Sequence, residues 1–214
     1  MTIAEKLQTI AENEQKVYNA GKQAEYDRFW DAFQENGKRY HYNNAFDNQG
    51  WTDEVYNPKH EFGKVRYFQA MFNNSRITDT RKSIDFTGRG AQYPALFQYC
   101  RVLKTIRTLI VDEGLTYDRW FQNCEALENL SIEGVIGQSN FNVSWSKKLS
   151  KDSITNIVNC LSTTTSGLTV TISQTAVNTA FETSTGANDG STSQAWLDLS
   201  GTKSNWTISL LDSD

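Results

Sequence analysis

Apolar positions at the start of the chain follow a seven-residue step. Ile3, Ile10, Val17 and Ala24 lie seven apart, and Leu7 sits four after Ile3 and three before Ile10. Residues spaced in this way share one face of a helix, and at this period they form the seam of a coiled coil. Thr2 and Glu5 have capping-box spacing, in which each side chain satisfies a free amide at the helix start. The pattern predicts helix over residues 1–36, with Ile3, Leu7, Ile10 and Val17 as the oligomerisation candidates. Glu14 and Gly21 interrupt the Leu7 row, and Gly21 predicts a break or bend. Tyr26, Phe29, Trp30 and Phe33 then fall at i, i+3, i+4 and i+7, an aromatic face that needs cover. Two arrangements fit this segment: an oligomerising stalk, or a single amphipathic helix docked on its own chain.

Residues 37–64 lose the periodicity and become rich in Asn, Tyr, Gly and Asp. Tyr40, Tyr42, Trp51 and Tyr56 lie here, and the segment reads as an irregular cap whose rings cover the core that follows. From residue 65 a longer period takes over. Phe72-Asn73-Asn74-Ser75, Phe97-Gln98-Tyr99-Cys100 and Phe121-Gln122-Asn123-Cys124 are three versions of one phrase, 25 and then 24 residues apart. Ile77, Leu103 and Leu127 follow each Phe closely, and Ile84, Leu109 and Ile132 follow further on. Trp145, 24 after Phe121, and Leu149 read as a worn fourth copy. Units this small cannot close a core alone, so repetition at this period predicts stacking, with Phe, Cys and Leu in ladders. Alternation over residues 106–111 and 130–133 predicts one short strand per unit.

The remainder changes character. Ser150 can cap a helix whose apolar face is Ile154, Ile157, Val158 and Leu161. Leu168–Ile172 and Trp206–Leu210 alternate as strands, 175–182 suits a short helix, and 183–193 is a polar turn. The tail beyond Leu211 is expected to fray. Together these elements predict an α+β chain in three parts: a helical stalk or anchor (1–36), an irregular aromatic-rich cap (37–64), and a short leucine-rich-repeat-type solenoid with an α/β C-terminal cap (65–214).

Composition narrows the function. The net charge of -4 and pI near 5.3 argue against nucleic acid and anionic membranes, which both select a basic face. The three cysteines are too few and odd in number for a disulfide framework. No apolar run reaches the roughly 20 residues needed to span a bilayer. The opening residues lack the basic and apolar regions of a secretory signal, so synthesis in a cytosol is expected, with no membrane insertion.

Individual motifs carry little chemistry. Cys100 and Cys124 occupy equivalent places and read as buried small hydrophobes. His41 and His60 lack paired ligand spacing, so no metal or cofactor is expected. Ser144-Trp145-Ser146-Lys147 has the S-x-x-K form without the partner motifs of a serine nucleophile. Gly88-Arg89-Gly90 lacks the ending of a phosphate loop. Asp112, Glu113 and Asp118 read as a solvated turn rather than a calcium site. Arg101, Lys104 and Arg107, and Lys147, Lys148 and Lys151, read as solvated faces. The N-x-[ST] triplets at Asn73, Asn129, Asn142 and Asn205 read as composition. No catalytic residues are assigned, and the expectation is a non-enzymatic protein whose aromatic and amide side chains make contacts.

The phrase F-x-N-C-x-x-L-x-x-L-x-I, carried by Phe97, Cys100, Leu103 and Leu109 and by Phe121, Cys124, Leu127, Leu130 and Ile132, resembles the BspA-type leucine-rich repeat. The opening MTIAEKLQTIAENEQKVYNAGK is similar to the helical leader of small proteins of Firmicutes phages and prophages. The resemblance implies a virion structural protein of a fibre, tail or capsid appendage that displays a repeat domain for attachment. Its implied partners are other virion proteins, a host-surface protein or glycan, and further copies of itself, with a trimer favoured. The alternative is a stand-alone bacterial repeat module for protein interaction. Replacing Ile3, Leu7 and Ile10 together by Asp puts charges into the seam. A stalk predicts that the oligomer is lost in light scattering, and an unchanged mass refutes it.

Overall fold

Backbone hydrogen bonds between segments about one phrase apart organise the molecule. The computed structural model describes residues 6, 8–10, 12–18, 20–21, 24, 53, 56, 69–87, 94–182 and 189–213. The amides of Ala70, Phe72 and Asn74 donate to the carbonyls of Pro94, Leu96 and Gln98 at 3.1, 2.9 and 2.8 Å. Those of Ala95, Phe97 and Tyr99 donate in turn to Asp118, Trp120 and Gln122 at 2.8, 2.9 and 2.8 Å. Each turn is bracketed by left-handed residues at matching places: Ala70 and Asn74, Ala95 and Tyr99, Arg119 and Asn123, with φ between 51° and 65°. Only two of the six are Asn, which tolerates this region, so most cost about 1–2 kcal/mol of local strain. The hydrogen bonds to the neighbouring turn hold them there.

Side chains stack along the same axis. The Phe72 and Phe97 rings lie 5.2 Å apart and nearly parallel, and Phe97 and Phe121 6.0 Å apart. The Cys100 thiol donates to the Phe72 carbonyl at 2.8 Å, and the Cys124 thiol to that of Phe97 at 3.1 Å. Burial, with the nearby Cys100 adding to it, pushes the Cys124 thiol well up and keeps it a protonated donor. Phe72, Ile77, Phe97, Cys100, Leu103, Leu109, Phe121, Cys124, Leu127 and Ile132 are all buried. Tyr56 closes the near end, edge-on to Phe72 and with its hydroxyl donating to the Thr80 carbonyl at 2.8 Å.

The strands form two separate parallel sheets, and this corrects the expected single solenoid. β1 (Ile84–Asp85), β2 (Thr105–Val111) and β3 (Asn129–Gly134) make the first, in which Ile84 pairs with Leu109 and Leu109 with Ile132. β4 (Phe141–Val143), β5 (Leu168–Ile172) and β6 (Trp206–Leu210) make the second. The described residues are thus α+β with short helices and two three-stranded sheets, not one continuous ladder of strands.

The reason lies at the outer edge of β3. The segment that would extend the first sheet folds instead as α1 (Lys151–Cys160), because its apolar residues follow a helical period and Ser150 caps it by accepting from the Ser153 amide. Side chains of α1 then stand in for a strand. Ser153 Oγ accepts from the Leu130 amide at 2.9 Å, and Asn156 Oδ1 from the Ile132 amide at 2.6 Å. Asn156 Nδ2 donates back to the Ile132 carbonyl at 3.0 Å. An open parallel edge is thereby closed without a fourth strand.

The fourth copy of the phrase also needs correcting. Its turn closes with Ser146 donating to the Val143 carbonyl at 3.0 Å, as Cys124 does to Phe121 at 3.2 Å. Val143, 22 residues after Phe121, therefore holds the Phe place, and Trp145 sits two positions further on. The Phe121 ring meets Phe141 instead, at 5.4 Å.

α2 (Gln174–Ala180), a short 3-10 turn (Gly190–Thr192) and α3 (Gln194–Gly201) connect β5 to β6. Lys203 is buried, and its ammonium donates to the carbonyls of Asn159 and Leu161 at 3.1 and 2.6 Å. It supplies the cation that the last turn of α1 lacks. The tail does not fray at once beyond Leu211. Asp212 accepts from the hydroxyls of Ser173 and Thr175, both at 2.6 Å, and Ser213 Oγ lies 2.7 Å from Ser144 Oγ. Near the N-terminus the residues described up to position 24 are helical, Gly21 included, so the expected break does not fall at Gly21 itself.

Burial alone would push the Asp212 carboxyl up, but the hydrogen bonds from Ser173 and Thr175 outweigh it and hold the group below its usual range. A carboxylate depressed by folding stabilises fully above its unfolded value, about 4, and that stability is lost as pH falls through the folded value. Urea titrations from pH 7 down to about pH 3 should show Asp212→Asn less stable than wild type at neutral pH, with the gap closing on acidification. A constant gap would dissociate Asp212 from the acid response.

Candidate functional site

The outer face of the first sheet carries a polar groove of about 600 Å³, bounded on one side by the start of α1. A β-bulge shapes it. Ile106 pairs with Leu130 and Thr108 with Ser131, so Arg107 is an extra residue in β2. Two consecutive side chains, Arg107 and Thr108, therefore face outward between buried Ile106 and Leu109. The expected plain alternation over 106–111 is corrected at this point. The Arg107 amide, left without a place in the ladder, donates to Thr80 Oγ1 at 2.9 Å.

The bulge aims Arg107 at Asp79. Its guanidinium meets both carboxylate oxygens, at 3.1 and 2.6 Å. Asp79 also accepts from the Arg81 amide at 2.6 Å, which fixes a turn where Arg81 has φ of 58°. The Arg81 guanidinium reaches the Asp53 carbonyl at 2.6 Å, and Asp53 in turn accepts from the Thr78 amide at 2.9 Å and from the Thr78 hydroxyl. Asp53 is thus tied to the groove by charged and hydroxyl groups. Thr108, Asn129 and Ser131 supply further polar groups along the floor, and Asp152 stands at the α1 end. Such a surface suits an extended polar ligand held by hydrogen bonds.

The oligomerisation candidates divide. Ile3 and Leu7 lie outside the described residues, whereas Ile10 and Val17 are 53% and 73% exposed. His41, His60, Tyr40, Tyr42, Trp51 and the Gly88–Gly90 motif also lie outside them. Ser144 Oγ is engaged with Ser213, and Ser146 Oγ donates to the Cys124 carbonyl at 3.1 Å. The S-x-x-K motif is therefore built into the stack. Glu113 Oε1 accepts from the hydroxyls of Ser162, Thr164 and Thr165 at 2.7, 3.2 and 3.3 Å. Those bonds, Ser162 first, hold its carboxyl below the usual range against a small opposing effect of burial. Among the described residues, no group of three or more His, Cys, Asp or Glu is placed to hold a metal ion. No helix among them is long and apolar enough to cross a membrane.

The sequence reading placed Arg107 on a solvated face and missed the groove, since Thr80, Arg81 and Asn156 meet it only through pairing. The usable signal was the adjacent polar pair Arg107-Thr108 inside an apolar alternation.

No protein-family model matches the chain, no curated protein does, and no solved structure does.

Thr80→Val keeps the shape but orphans the bulge amide, so unfolding by urea should show a loss of about 1–3 kcal/mol. Arg107→Ala removes only a half-exposed ion pair and should cost under about 1 kcal/mol. The reverse order would mean that the ion pair, not the hydroxyl, holds the bulge.

Proposed function

We propose that this chain is a non-enzymatic attachment protein of a phage particle, part of a fibre, tail or capsid appendage, that presents its stacked head on an N-terminal helical stalk. The observation that carries the reading is the exposure of Ile10 and Val17, seven residues apart on a helix, at 53% and 73%. An apolar row at heptad spacing left in water is stabilised by a like row on another helix. Further copies of this chain provide that partner, and a trimer is the expected assembly. The place in a particle rests on the resemblance of the leader to phage proteins. The groove over the first sheet offers a polar face for a host-surface ligand. Several heads on one stalk multiply weak contacts into stable attachment.

Light scattering on the full chain, beside a chain lacking residues 1–36, tests the assembly. A trimer that becomes a monomer on truncation is the expected result. A monomer in both forms overturns the stalk and leaves a stand-alone interaction module.

A further inference from the structure

A second cavity, of about 350 Å³, opens on the outer face of β4, away from the groove. It lies between the turn at 118–122 and Trp145, and three side-chain amides line it: Gln122, Asn140 and Asn142.

The amides are held with their donors unused. Asn73 Nδ2 donates to Gln98 Oε1 at 3.3 Å, and Gln98 Nε2 to Gln122 Oε1 at 2.5 Å. This row of stacked amides ends at Gln122, whose NH2 group has no partner among the described residues. Asn140 Oδ1 accepts from the Thr169 amide at 2.8 Å, and Asn142 Oδ1 from the Ser144 amide at 2.9 Å. Each oxygen is taken by the backbone, which leaves each NH2 as a donor. The Trp145 indole forms part of the wall, and its Nε1–H is buried without a hydrogen-bond partner. The nearby charges cancel, since Arg119 is paired with Asp118 at 3.2 Å.

We propose that this cavity binds one neutral pyranose unit of a glycan. A pyranose offers what the wall lacks: hydroxyl and ring oxygens as acceptors for the three amides, and a C–H face to lie on the indole. With Asp118 and Arg119 neutralising each other, neither an anionic nor a cationic ligand gains from the site. Cavities of roughly 300–1,000 Å³ take small ligands, and this one sits at the lower end. The inference depends on Trp145 and the amides, not on the stalk.

Saturation-transfer NMR on the full chain tests it, with glucose, galactose, mannose and N-acetylglucosamine as neutral probes and glucuronic acid and glucosamine as charged controls. Transfer to at least one neutral sugar, weaker for the charged ones, is expected. Trp145→Ala should abolish it, and Gln122→Leu should weaken affinity by roughly tenfold. Arg101→Ala, at an exposed ion pair that lines neither the groove nor this cavity, should leave it unchanged. Should Trp145→Ala fail to fold by thermal melting, Gln122→Leu and Asn142→Ala carry the comparison. Absence of transfer to every neutral sugar, or transfer undiminished in these variants, overturns the proposal. The readout is indifferent to oligomer mass, so a monomeric protein would refute the stalk without touching this site.

Discussion

Everything described rests on the hydrogen bonds that one turn donates to the next. The turns at 70–74, 95–99 and 119–123 place Ala, Tyr and Arg in left-handed backbone that such residues seldom adopt. No turn would keep that shape alone. The first two donate alternate amides to the next turn and the third accepts them, and the same arrangement brings the Phe rings into a stack and the thiols under carbonyls. Strain is thus local while its compensation is not, which makes the stack cooperative.

That cooperativity has a boundary at β3. A parallel sheet can be extended indefinitely unless its edge is covered, and here Ser153 and Asn156 of α1 supply the missing donors and acceptors. The chain then restarts strand pairing in a second sheet, with β5 between β4 and β6. The groove and the second cavity follow from this division. One lies over the first sheet, where the bulge turns Arg107 outward. The other lies outside β4, where Asn140 and Asn142 alternate with buried Phe141 and Val143.

The sequence made the periodic parts legible. Spacing of 24 and 25 pointed to the contacts among Phe72, Phe97 and Phe121 and to the pairing of Ile84, Leu109 and Ile132, because stacking preserves register. Ser150 as a cap and the strands at Leu168–Ile172 and Trp206–Leu210 were local signals. What failed was continuation. Nothing in the period says that helical residues following β3 will end the sheet, and a two-residue contraction moved Val143, not Trp145, into the Phe place. The groove and the second cavity were hidden for the same reason. Thr80 with Arg107, and Gln122 beside Trp145, are neighbours only across strands or turns.

Lys203 ties these parts together in time as well as space. Its ammonium sits on the last carbonyls of α1, the helix that covers β3, yet it is synthesised 43 residues after Cys160. At a translation rate of about 5–20 residues per second, α1 waits roughly 2–9 seconds for its cation. During that interval β5 also lacks β6. The nascent chain therefore passes through a stage in which the first stack is complete while its cover is only loosely held, and the ribosome sets how long that stage lasts.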